Sequence, residues 1–73
     1  MPQFFFNVRR GSNIHADTVG RELEDLHAAY KWAVQDTRSL IKEDALEGDL
    51  RLYSIEICDA DGRVLSVLPV TGS

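Results

Sequence analysis

Asp59-Ala60-Asp61-Gly62 sets carboxylates at alternate positions ahead of a glycine, the pattern with which calcium loops gather oxygen ligands. The register fails. With Asp59, Asp61 and Gly62 in the third, fifth and sixth loop positions, the first falls on Ile57 and the twelfth, which needs a bidentate Glu, falls on Leu68. A hairpin turn explains the same residues, because Asp side chains accept from nearby backbone amides and Gly takes a positive φ. His15 and His27 are the only imidazoles, with Asp17 and Asp25 close in sequence. General-base or metal work requires each ring to be held by an orienting carboxylate, and surface or capping roles account for both without it. Cys58, the single cysteine, has no nucleophile signature around it and reads as a half-buried strand residue. No catalytic residue, metal or cofactor is therefore expected, and the chain reads as non-enzymatic.

Phe4, Phe5 and Phe6 followed by Arg9 and Arg10 raise a second chemistry, the stacking of bases on a sheet beside cations. The formal charge of −4 and pI near 4.9 oppose it, since a negative field repels phosphates. A local basic edge of Arg9, Arg10 and Arg63 is the form in which a nucleic-acid-associated or antitoxin-like regulator survives as the alternative.

These residues must be positioned by a small set of elements. Gln3 to Val8 reads as a strand with Phe4, Phe6 and Val8 on one face and Phe5 on the other. A turn at Arg9 to Asn13 leads to a short return strand at Asn13 to Ala16, with Ile14 as its apolar contact. Asp17 to Leu23 is expected to be a connecting loop bent at Gly20. From Leu26 to about Leu46 the apolar residues recur at helical spacing, with Asp25 as N-cap and Gly48 as the αL residue at the end. Leu50 to Cys58 alternates, Tyr53, Ile55 and Ile57 against Leu52, Ser54, Glu56 and Cys58. Val64 to Val70 closes the chain's last hairpin, with Pro69 marking an edge or strand end, and Thr71-Gly72-Ser73 reads as a frayed tail. The expected fold is α+β, β-β-α-β-β, a four-stranded antiparallel sheet with one long helix on one face.

The 73 residues, 44% hydrophobic and 27% charged, make one domain, 1–73. One cysteine forms no internal disulfide, and the Phe4-Phe5-Phe6 run is far shorter than a secretory or membrane segment, so the expected setting is cytoplasmic with no membrane contact.

Phe4-Phe5-Phe6-Asn7-Val8-Arg9, Asp17-Thr18-Val19-Gly20-Arg21-Glu22-Leu23, Asp25-Leu26-His27-Ala28-Ala29 and the closing Ile55 to Leu65 segment together resemble a small uncharacterised bacterial family, domain of unknown function 6894. The resemblance covers nearly the whole chain. It implies the same fold and a bacterial cytoplasmic setting, and it implies no activity and no catalytic residues. Trp32 departs from the small or polar residue expected at that helix position.

One helix shields one face of a sheet, so Phe5, Leu52 and one side of the last strand are expected to leave apolar surface on the other. The expected role is a protein-interaction or accessory domain that binds another protein or itself as a homodimer through that face or a strand edge. Phe5, Trp32, Leu52 and Ser66 are the expected contact residues.

Overall fold

The computed structural model describes residues 1–44, 46 and 48–70. Its elements run β1 (Gln3–Arg10), β2 (Asn13–His15), β3 (Arg21–Glu22), α1 (Leu26–Lys42), a 3-10 turn at Leu50–Leu52, β4 (Tyr53–Cys58) and β5 (Val64–Pro69). All strand pairs are antiparallel in the order β2-β1-β4-β5, with β3 also on β1. The α+β class, the two hairpins and the single intervening helix agree with the sequence reading, while the strand count is five rather than four.

The fifth strand lies in the segment expected to be a loop. β2 pairs Val8 with His15 and β3 pairs Phe4 with Arg21, so four steps along β1 face six along its partner. β2 and β3 are thus one interrupted strand, with Asp17 in the interruption. Its carboxylate accepts from the Phe6 amide at 3.1 Å and from the Val19 and Gly20 amides at 3.0 and 3.1 Å, while its own amide donates to Asn7 Oδ1 at 2.9 Å. Leu23 N–H donates to Pro2 O at 3.1 Å beyond β3.

The helix begins where expected. Asp25 Oδ1 accepts from Ala28 N–H at 2.8 Å, an N-cap bond that contributes about 1 kcal/mol. It ends earlier, at Lys42, because Asp44 takes φ 55 and its amide turns back to Ile41 O at 3.1 Å. An aspartate tolerates that left-handed conformation, so Asp44 does the work expected of Gly48. Ala45, within the expected helix, and the tail at 71–73 lie outside the described residues.

The core holds Phe4 and Phe6 from β1, Ala29 and Ala33 from α1, Tyr53, Ile55 and Ile57 from β4, and Val70. Val8, Leu23, Trp32 and Leu68 pack around it. Ala29 and Ala33 are small enough for the helix to approach closely, and α1 lies chiefly over β4. Ile55 and Ile57 are fully buried, each contributing roughly 1.5–3 kcal/mol of transfer free energy. Leu50 to Leu52 is not strand as expected. Asp49 caps a 3-10 turn there by accepting from Arg51 N–H at 2.9 Å, and the strand starts at Tyr53.

Partial burial alone would raise the Asp17 carboxyl. The amides of Gly20, Val19 and Phe6 and the charge of Arg21 outweigh it and hold the group below its ordinary value of 3.8. A carboxyl with a depressed folded-state value stabilises fully above the unfolded value and loses that contribution as pH falls through the folded one. Asp17→Ala is expected to cost about 2 kcal/mol at neutral pH in urea unfolding, because three amides lose their acceptor. The gap from the parent should narrow as the pH is taken below 3.8.

Candidate surfaces on the sheet and helix

Register fixes which side chains share the sheet face away from α1. Phe5 pairs with Cys58, Asn7 with Glu56 and Arg9 with Ser54, while Glu56 pairs with Val67 and Ser54 with Pro69. The centre of this face is polar. Arg9 Nη1 donates to Glu56 Oε2 at 2.9 Å, and the Glu56 side chain is only 8% exposed against 44% for Arg9. Among the residues whose pairing places them on this face, large apolar exposure lies at the margins, at Ile14 and at Val64 and Val67 of β5. The apolar surface expected here from Phe5, Leu52 and one side of the last strand is therefore corrected to one broken by a charged pair: alternation showed which residues face outward, but not that Arg9 and Glu56 meet in the middle.

The four expected contact residues do not form one surface. Phe5 is half-buried beneath the Asp17–Gly20 segment, so close that a Cβ on Gly20 would lie 2.8 Å from Phe5 Cε2. Gly20 has φ 74, which adds a second reason for glycine there. Trp32 is covered by the Arg21 guanidinium, 3.7 Å from the ring centroid, a cation–π contact on the β3 side of the helix. Leu52 is exposed in the 3-10 turn at the sheet's end, where its carbonyl accepts from Gly11 N–H at 3.1 Å. Ser66 pairs with Ile57 and so lies on the helix side of β5.

The basic edge is also divided. Arg9 and Arg10 pair with Ser54 and Tyr53, whereas Arg63 precedes Val64, which pairs with Cys58. Four residues of β4 separate the two levels, roughly 13 Å of strand. Arg9 is engaged by Glu56, and Arg10 lies 5.8 Å from the Tyr53 ring centroid.

Asp59 Oδ1 accepts from Asp61 and Arg63 amides, both at 2.9 Å, and Gly62 N–H donates to Asp59 O at 3.1 Å. The Asp-x-Asp-Gly segment is thus a hairpin turn with Gly62 at φ 83. Cys58 is buried, and burial, then Glu56 and Asp59, push its thiol up, while Asn7 Nδ2 donates to Sγ at 3.5 Å. This favours the thiol over the nucleophilic thiolate. Burial also raises Asp36, against the pull of Arg21 and with Asp17 and Glu43 adding to it. His15 is on β2 and His27 in the first turn of α1, both exposed. Among the described residues, no group of three or more His, Cys, Asp and Glu side chains converges as a metal site.

One feature escaped the sequence reading: the Arg9–Glu56 pair depends on the β1–β4 register. The edge position of β5 was signalled by Pro69. Arg9→Ala is expected to cost about 1–3 kcal/mol in urea unfolding, because it leaves a buried carboxylate uncompensated. Adding Glu56→Gln to that variant should restore much of the loss, which a double-mutant cycle measures.

No curated protein and no solved structure matches the chain. A protein family described as Domain of unknown function (DUF6894) matches residues 3–71, and these span both hairpins, the Asp17 segment and the helix. The chain belongs to that family.

Proposed function

We propose that the chain is a non-enzymatic, cytoplasmic protein-interaction domain that accepts a further strand along β5, a second copy of itself included. The observation that carries this reading is the contrast between the sheet's two edges. Val70 N–H donates to Tyr53 O at 3.1 Å, and antiparallel pairs alternate, so Leu68 and Ser66 aim their backbone groups at β4 while Val67 and Pro69 aim theirs outward. Pro69 has no amide to offer, which leaves Val67 N–H as an outward donor on this edge. By the same alternation the outward residues on β1 are Phe4, Phe6, Val8 and Arg10, which meet β3, Asp17 and β2. The side of β1 is thus closed by a short, interrupted β2–β3 strand, whereas among the described residues no strand pairs with the outer side of the continuous β5.

Apolar side chains accompany the open edge, with Val67 53% and Val64 49% exposed. An added strand gains main-chain bonds from such an edge and specificity from alternate side chains. The cytoplasmic setting is supported by one buried free cysteine, and no described helix is long and apolar enough to cross a membrane. The nucleic-acid-associated or antitoxin-like alternative draws no support from the divided arginines.

Light scattering after size exclusion tests self-pairing. The parent is expected to gain mass with concentration, and Val67→Pro, which removes the outward amide and leaves the β4 ladder intact, should remain monomeric with an unchanged circular dichroism spectrum. A parent that stays monomeric at every concentration rules out the second copy as the added strand.

A further inference from the structure

Beyond the β5 edge, the helix carries a second surface. Trp32 faces β3 through Arg21, and successive residues turn by about 100°, so Leu26, Tyr30, Val34 and Ile41 lie on the opposite flank of α1, toward β5. Tyr30 is 44% exposed there, Leu26 and Ile41 are comparable, and Val34 is half-buried. The helix-side residues of β5 beneath this flank are Ser66 and Leu68, both partly exposed. α1 packs on β4 and β5 is the next strand, so this flank of the helix and the helix-side face of β5 border one another at an angle.

We propose that this angle docks an amphipathic helix of a partner protein whose polar rim is acidic. The stripe from Leu26 to Ile41 is about 22 Å long, four turns of helix. A second helix at the usual spacing of roughly 8–10 Å from α1 lies one to two strand spacings beyond β4, along the outer edge of β5. Charge selects the partner. Lys31, Arg38 and Lys42 are exposed along the outer border of the stripe, and both lysines of the chain are among them. The only carboxylate within α1, Asp36, lies on the other flank beside Arg21. Asp25 caps the helix start, and Glu43 and Asp44 follow its last turn, so the acids sit at the ends and the middle is positive. A chain with net charge −4 thus presents a cationic margin beside an apolar stripe, complementary to an acidic helix. A flat lipid surface fits poorly, because the stripe's lower margin lies inside the angle between helix and sheet.

The test uses the full chain and two labelled synthetic peptides with leucines at i, i+3, i+4 and i+7 spacing, one on a glutamate background and one on lysine. Fluorescence anisotropy is expected to show saturable binding of the glutamate peptide, roughly tenfold or more tighter than the lysine peptide. Tyr30→Asp and, separately, Arg38→Glu should each weaken it by about tenfold or more. Each variant is checked for an intact circular dichroism spectrum, and the half-exposed Tyr30 and exposed Arg38 give independent chances of a folded variant. No binding of the glutamate peptide, equal binding of both peptides, or undiminished binding by both folded variants overturns the proposal. A parent dimer dissociated by Tyr30→Asp overturns it in favour of a second copy, and binding confined to anionic vesicles overturns it in favour of lipid.

Discussion

The Phe6 amide has no strand opposite it, and the Asp17 carboxylate takes its place. β2 covers the end of β1 at Val8 to Arg10 and β3 covers the end at Gln3 and Phe4, leaving Phe6 between them. A backbone donor left without a partner there would cost as much as a lost hydrogen bond, and the side chain of Asp17 supplies the acceptor at 3.1 Å. The same carboxylate bends the chain through Val19 and Gly20, which brings Gly20 onto the Phe5 ring and starts β3. One acidic residue therefore closes an edge, covers an aromatic side chain and places Arg21.

Arg21 extends the consequence to the helix. Its guanidinium over Trp32 ties one flank of α1 to the closed edge of the sheet. The helix then covers β1 and β4, and its other flank, with Tyr30, stands beside β5 without an equivalent tie among the described residues. The two surfaces proposed for binding lie on the same side of the molecule for this common reason. Among the described residues, Leu26, Tyr30, Ile41, Val64, Leu65 and Val67 are exposed on this side, while Ile14 and Val19 are exposed at the other edge.

Local chemistry made much of the fold legible. The alternation of Phe4, Phe6 and Val8, and of Tyr53, Ile55 and Ile57, assigned the buried face directly, because a strand's side chains alternate without exception in a regular stretch. Asp25 and the Asp59 to Gly62 turn were readable because their bonds span only a few residues. β3 was not readable: Arg21 and Glu22 have no strand preference, and only pairing with β1 makes them a strand. The same limit applies to the surfaces. Phe5, Trp32, Leu52 and Ser66 each carried a sensible local signal, but the Gly20 segment, Arg21, the 3-10 turn and the β4–β5 register separated them.

Native-state hydrogen exchange of individual amides, read by NMR at a dilution that favours the monomer, bears most directly on an edge closed by Asp17 opposite an open one. The Phe6 amide should exchange slowly, in step with the ladder amides of β1, and the Val67 amide should exchange close to the rate of an unprotected peptide. Rapid exchange at Phe6, or protection at Val67 equal to that of Ile55, would contradict the assignment of closed and open edges.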